Sequence, residues 1–254
     1  METQTIKAVI TGGASGLGQA VASRWLSAGA QVVLIDLNDN QAQAFMSAHS
    51  TDRLHFIQAD VTDERGISNA MDQAHTNMSG LNVLVNCAGI LGPGRVLGKE
   101  GPMPLEQFSK TVSVNLIGSF NAAKAAAALM QHNNQTDDNG VIIHTASIAA
   151  YEGQIGQAAY SASKGGVIGM TLPMARELAR FHIRVMAIAP GVFHTPMVDG
   201  MTPEMQARLS EGIPYPSRLG QADEFATLAT HIVDNQYLNG SVVRLDGAAR
   251  LPPK

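Results

Sequence analysis

Short apolar runs alternate along the chain with longer stretches whose apolar positions recur at helical spacing, and this rhythm predicts the elements. Strands are predicted at 7–10, 31–35, 54–58, 83–86, 141–145, 184–188 and 242–245. Helices are predicted between them, at 17–28, 40–49, 65–78, 105–130, 160–181 and 222–234. Runs such as Val32-Val33-Leu34-Ile35 do not alternate with polar residues, which is the mark of a strand buried on both faces. Seven such strands joined by helices predict an α/β fold, a doubly wound seven-stranded parallel sheet with helices on both faces. No linker-like break divides the chain, so residues 1–254 are expected to form a single dinucleotide-binding and catalytic domain.

Two segments interrupt the rhythm. Residues 131–140, rich in Asn and Asp, are expected to form a solvated loop leading into the fifth strand. The stretch 194–218 carries Pro196, Pro203, Pro214 and Pro216 together with Met197, Met201 and Met205. A short helix is expected at 203–209, because proline suits a first helical position. The length of the segment and its adaptable methionines point to a cover over an apolar substrate.

Composition narrows the class. A chain with 45% hydrophobic and 15% charged residues is a compact globular protein. A net charge of −4 offers no electrostatic reason to bind nucleic acid or an anionic membrane. The lone Cys87 cannot form an intrachain disulfide, and Met1–Thr5 carries no basic or apolar leader, so a cytoplasmic location is expected. The eight histidines show no metal-ligand spacing, and His144, inside an apolar run, is expected to be a satisfied buried imidazole; no catalytic metal is expected.

The first strand runs into Thr11-Gly12-Gly13-Ala14-Ser15-Gly16-Leu17-Gly18, which opens the first helix. Glycines allow a tight turn and a close approach of pyrophosphate to backbone amides at a helix N-terminus. The second strand ends in Asp36, eighteen residues beyond Gly18. A carboxylate there accepts hydrogen bonds from ribose hydroxyls and repels a 2′-phosphate, so NAD is expected in preference to NADP. Asp60 and Val61 end the third strand, where an adenine could be held, and Cys87-Ala88-Gly89 follows the fourth. Together these features make the fold Rossmann-type. Cys87 has no basic neighbour in sequence to lower its pKa and is not expected to be a catalytic thiol.

Ser147 follows the fifth strand, and thirteen residues later comes Tyr160-Ser161-Ala162-Ser163-Lys164. Tyr160 and Lys164, four apart, share one face of a helix. Oxidation of an alcohol needs a group that takes the hydroxyl proton as hydride leaves carbon, and reduction needs the reverse. A free phenol titrates near ~10, so work near neutrality needs a stabilised phenolate. A nearby ammonium and a positive nicotinamide ring could supply that stabilisation. Ser147 is placed to hydrogen-bond the substrate oxygen.

Taken together, Thr11–Gly18, Asn86–Gly89, Asn115, Ser147, Tyr160, Lys164 and Pro190-Gly191 resemble the short-chain dehydrogenase/reductase family over essentially the whole chain. The resemblance implies a catalytic set of Asn115, Ser147, Tyr160 and Lys164, with Asn115 supporting a water relay to the lysine. It implies an NAD site formed by Gly12, Ser15, Gly16, Leu17, Gly18, Asp36, Asp60, Val61, Cys87, Ala88, Gly89, Tyr160, Lys164, Pro190, Phe193 and Thr195, with Thr195 on the carboxamide.

A narrower likeness runs through 146–160, Gly169-Met170-Thr171-Leu172-Pro173, 214–220 and Leu245-Asp246-Gly247-Ala248. It is to members of the family acting on 3-hydroxyacyl-CoA and 17β-hydroxysteroids. Pro173 is distinctive, since a proline inside a helix costs ~3 kcal/mol and is expected to kink it. This likeness implies that Gln154 joins Ser147 and Tyr160 in holding substrate, and that the enzyme is a homotetramer. It fades over 197–212. The readings are therefore oxidation of an (S)-3-hydroxyacyl-CoA to the 3-oxoacyl-CoA with NAD, or an NAD-dependent dehydrogenase for a hydroxysteroid or another bulky secondary alcohol. A catalytically silent NAD-sensing module is a third.

Overall fold

A computed structural model describes residues 1–133, 138–195, 202 and 209–253. Residues 134–137 of the expected loop and 203–208 of the expected short helix lie outside it, as does most of the methionine-rich part of the expected cover.

The main sheet is built from β1 (Lys7–Thr11), β2 (Gln31–Asp36), β3 (Leu54–Gln58), β4 (Val83–Asn86), β7 (Gly140–Thr145), β8 (Ile183–Pro190) and β9 (Val242–Leu245). Two-residue strands β5 (Leu97–Gly98) and β6 (Gly101–Pro102) form a separate small hairpin that the periodicity did not reveal. The seven strands lie in the order β3-β2-β1-β4-β7-β8-β9, and every pairing is parallel. The helices are α1 (Gly16–Ser27), α2 (Asp39–Ala48), α3 (Glu64–Met78), α4 (Leu105–Val112), α5 (Gly118–Met130), α6 (Ala149–Glu152), α7 (Ala158–Leu178) and α8 (Ala222–Asp234).

Alternate strand residues feed two cores. Ala8, Ile10, Val32 and Leu34 pack with Trp25 of α1 and Phe225 of α8 on one face. Val9, Val33 and Ile35 pack with Met71 of α3 and Ala123 of α5 on the other. Both faces are thus apolar, the physical reason the strands lack a polar alternation. Trp25 is fully buried and its indole N–H donates to Thr230 Oγ1 at 2.9 Å, tying α1 to α8. Among the described residues no helix is long and apolar enough to cross a membrane.

One helix departs from expectation. The stretch predicted as one helix at 105–130 is interrupted by a π-helical turn, Ser113–Ile117, between α4 and α5. Such a turn carries one extra residue and re-aims side chains, and here it faces the buried Asn115 inward. The helix expected across Pro173 is present: α7 runs across that residue to Leu178. The carbonyl deprived of a donor by Pro173 belongs to Gly169, an exposed residue whose oxygen water can reach.

Candidate active site

The order of strands reverses between β1 and β4, and a ligand crevice is expected outside the carboxyl ends of strands at such a point. A cleft of about 810 Å³ lies there. Its walls include Gly12, Ser15, Gly16, Leu17 and Gly18 from the first turn, Asp36 from the end of β2, and Asp60 and Val61 after β3. Cys87, Ala88 and Gly89 after β4 and Thr195 complete it.

The glycine turn is close-packed for a reason. Gly12 has φ +64°, and a Cβ on it would lie 2.6 Å from the Ala88 amide nitrogen; a Cβ on Gly18 would lie 2.5 Å from the Gly12 carbonyl oxygen. A side chain at either position would push α1 away from the strand tips. At Gly16 (φ +53°), by contrast, the nearest atom is a Thr195 methyl at 3.8 Å. The α1 N-terminus opens beside it, and its N-cap Ser15 makes no side-chain capping bond. Free amides and a positive helix end are what a pyrophosphate requires. Asp36 accepts from the Ala14 amide at 3.1 Å and the Asn38 amide at 3.0 Å, which holds its carboxylate at the rim. Gly12, Gly16, the α1 N-terminus and Asp36 therefore fit a dinucleotide.

A second, smaller cleft of about 360 Å³ adjoins the first and shares Leu17, Cys87, Gly89, Ile90 and Thr195 with it. It is lined by Ser147, Gln154, Tyr160 and Lys164, and by Ile148, Val192, Leu209 and Leu251. Pro190 and Phe193, expected on the cofactor side, border this smaller cleft, as do Tyr160 and Lys164.

The fold brings the expected chemical residues together. Lys164 Nζ donates to the Thr145 carbonyl at 2.6 Å and lies 5.8 Å from the Tyr160 ring centroid. Ser147 Oγ accepts from the Ala149 amide at 3.1 Å. Asn115 Nδ2 donates to the Ile90 carbonyl at 2.9 Å and to Ser163 Oγ at 3.0 Å, while its Oδ1 accepts from the Ile90 amide at 2.8 Å. A Cβ on Gly89 would sit 3.1 Å from Asn115 Oδ1 and 3.6 Å from Lys164 Nζ, so the absence of a side chain there keeps the three in register.

Burial dominates the electrostatics of this cleft. In the protein alone it pushes Tyr160 above its ordinary value, opposed by a hydrogen bond with Ser147, and the expected stabilisation of the phenolate draws on a nicotinamide ring as well as on Lys164. Burial also draws Lys164 down to about 8. The Cys87 thiol, against Thr145 Oγ1 at 3.5 Å, is pushed up to about 11 by burial and stays protonated near neutrality. His144 is fully buried and drawn down to about 4, chiefly by burial. Its Nδ1 lies 3.2 Å from Asn86 Nδ2, whereas Nε2 has no partner among the described residues, so the expected satisfaction holds at one ring nitrogen.

Several wall residues were not legible in sequence. Thr62, Lys110, Ser113 and Val114 line the larger cleft; Gln157 and Leu251 line the smaller. Thr62 had a local signal, since its hydroxyl and amide both bind Asp60 Oδ1 at 2.8 Å in a tight turn. The others arrive from distant elements and carry none.

A doubly wound sheet with a dinucleotide cleft at its switch point, joined to a cleft lined by Ser, Tyr and Lys, defines an oxidoreductase acting on a CH–OH group. The family model of the short chain dehydrogenases matches residues 7–206, and the chain belongs to that family. The family implies a nicotinamide cofactor. Over 252 residues the chain is 48% identical to 3-hydroxyacyl-CoA dehydrogenase type-2 of Bos taurus, covering 97% of this chain and 95% of that one. It is 47% identical over 250 residues to the protein of the same name from Homo sapiens, with the same coverage. The crystal structure of 3-hydroxyacyl-CoA dehydrogenase type-2 from Mycobacterium avium superimposes with a TM-score of 0.91 at 38% identity, covering 97% of this chain and 96% of that one.

Proposed function

We propose that this enzyme oxidises (S)-3-hydroxyacyl-CoA to 3-oxoacyl-CoA with NAD, and catalyses the reverse. The observation that carries the reading is the junction of the two clefts, where Ser147, Tyr160 and Lys164 meet the shared wall of Gly89 and Thr195. The names of the similar proteins from Bos taurus and Homo sapiens support the thioester as substrate. Asp36 at the rim favours NAD over NADP, because a carboxylate there repels a 2′-phosphate.

In this mechanism Asp36 would hold the adenosine ribose and the amides of Ser15–Leu17 at the α1 N-terminus would hold the pyrophosphate. Asp60, Val61 and Ala88 would hold the adenosine, and Thr195 the carboxamide. A nicotinamide bound there supplies the acceptor for hydride. Ser147 Oγ hydrogen-bonds the substrate oxygen, and Tyr160 Oη takes the hydroxyl proton during oxidation and returns it during reduction. Positive charge in the cleft, with Lys164 as the protein's contribution, has to overcome the effect of burial on the phenol. Asn115 orders the Ile90 backbone and Ser163 beside Lys164, and Gln154 contributes to the substrate wall. Such positioned proton transfer contributes roughly 10²–10⁴ in rate.

Three parts of the proposal reach beyond the clefts. Segment 194–218 covers the substrate, an assignment supported by the place of Thr195 and Leu209 in the walls. The enzyme is a homotetramer, supported by exposed Leu105, Ile117 and Phe120 on and beside α4 and α5. A reducing cytoplasm suits the lone Cys87.

NADH consumption with acetoacetyl-CoA tests the proposal against a panel of ketosteroids run in parallel. Turnover of the thioester is expected. Turnover of the steroids alone would transfer the same machinery to a sterol, and NAD binding with no turnover of any ketone would leave only a sensing module.

A further inference from the structure

Residues 249–253 form a strap across the loop that joins Ser147 to Tyr160. Ile155 donates its amide to the Pro253 carbonyl at 3.0 Å, and Gln154 Nε2 donates to the Pro252 carbonyl at 3.2 Å. Proline has no N–H, so these two residues offer the loop only carbonyls, and the loop supplies the donors. Farther back, Arg244 Nη2 donates to the Ala249 carbonyl at 3.2 Å. Arg244 also pairs with Glu152 at the end of α6 and with Asp246 at 2.8 Å, and stacks 5.1 Å from the Tyr151 ring centroid. Buried Ala249 packs with Ile148, Ile213 and Leu219.

These anchors use the backbone of Ala249, Pro252 and Pro253; none uses the side chain of Leu251. That side chain is half-buried, packs with the apolar cluster of Ile148, Val192 and Leu209, and lines the cleft that holds Ser147 and Tyr160. A residue held from both sides by its neighbours, with its own side chain spent on a cleft wall, is placed to limit what the cleft accepts.

We infer that Leu251 is a specificity-determining residue, a wall held in place by the strap that sets the length and bulk of the alcohol or ketone beside Tyr160. The inference rests on the proposed reading of that cleft as the substrate site. Because the anchors do not involve the Leu251 side chain, its replacement alters the wall and leaves the strap attached. A single methylene in an apolar pocket changes discrimination by roughly 10- to 200-fold, so removing or adding several atoms there has a readable effect.

The test uses Leu251→Ala and Leu251→Trp in the full chain, with kcat/KM for 3-oxoacyl-CoA substrates of four, eight and twelve carbons. The long-to-short ratio is expected to rise on the order of tenfold in Leu251→Ala and to fall by a similar factor in Leu251→Trp. Ratios within twofold of the parent in either variant, or moving in the same direction in both, would overturn the inference. If the parent enzyme turns over no thioester, the proposed substrate fails on its own account. The same ratios are then read on simple methyl ketones of rising length, and the same outcomes decide the inference.

Discussion

Asn115 and Ile90 close a reciprocal pair: the Ile90 amide donates to Asn115 Oδ1 at 2.8 Å, and Asn115 Nδ2 donates to the Ile90 carbonyl at 2.9 Å. The pair stitches the π-helical turn to the segment after β4, where both clefts share Ile90. Truncation in Asn115→Ala would leave a backbone amide and carbonyl without these partners, each worth about 1–3 kcal/mol when buried. A loss of about 2–4 kcal/mol in urea unfolding is expected, together with a fall in kcat. Unchanged stability would mean that the turn does not depend on this pair.

Tyr160→Phe removes the proposed proton-transfer group and keeps the ring. Turnover is expected to drop by roughly 10²–10⁴, with NAD binding retained in a fluorescence titration. The parent enzyme carries a matching pH signature. Burial raises Tyr160, so its proton-accepting form grows as pH rises, and the rate of alcohol oxidation should climb into the alkaline range. Loss of the Lys164 ammonium above about pH 8 should blunt that climb. Ketone reduction needs the protonated phenol and should show no such climb. Parallel profiles for the two directions would contradict the assignment.

Asp36→Ala should relax cofactor choice. In the proposed role the carboxylate bonds a ribose and repels a 2′-phosphate, and a hydrogen bond to a charged group is worth about 1.5–3 kcal/mol. The NAD-to-NADP ratio of kcat/KM should therefore fall on the order of tenfold or more. Because Asp36 also accepts from the Ala14 amide, some loss of affinity for both cofactors should accompany it. An unaltered ratio would remove Asp36 as the selector.

His144 should make the protein acid-sensitive. Burial draws its pKa down to about 4 from the ordinary 6.5. The unfolded chain then binds more protons between those values, so stability is fully present above pH 6.5 and is lost as pH falls towards 4. The full excursion corresponds to about 3 kcal/mol. His144→Asn should flatten that part of the stability–pH curve measured by urea unfolding; an identical slope would place the acid sensitivity elsewhere.

The sheet was legible in sequence because its strands are apolar on both faces and too short to be helices. All seven predicted strands are present, at nearly the predicted limits. The places of Thr11–Gly18, Asp36, Ser147, Tyr160 and Lys164 beside the clefts were legible because they depend on local spacing: a turn into a helix, a strand end, one helix face. The hairpin at Leu97–Pro102 was not, since two-residue strands leave no periodicity to read. Nor was the π-helical turn, because Ser113–Ile117 has an ordinary helical pattern and its extra residue is stabilised by contacts with Ile90 and Ser163.

By itself, then, the sequence determined the α/β class, the order of its elements and the dinucleotide turn, and it singled out Tyr160 as the proposed proton-transfer group. These depend on neighbours a few residues apart, where backbone geometry alone decides which side chains meet. Tertiary structure decided the direction in which burial shifts that group and the shape of the space before it. The direction of the Tyr160 shift comes from burial, to which distant elements contribute. Leu251 reaches the cleft because a strap 98 residues farther along the chain is bound to the loop beside Ser147. Solvation and long-range packing set both, and neither leaves a pattern in local spacing.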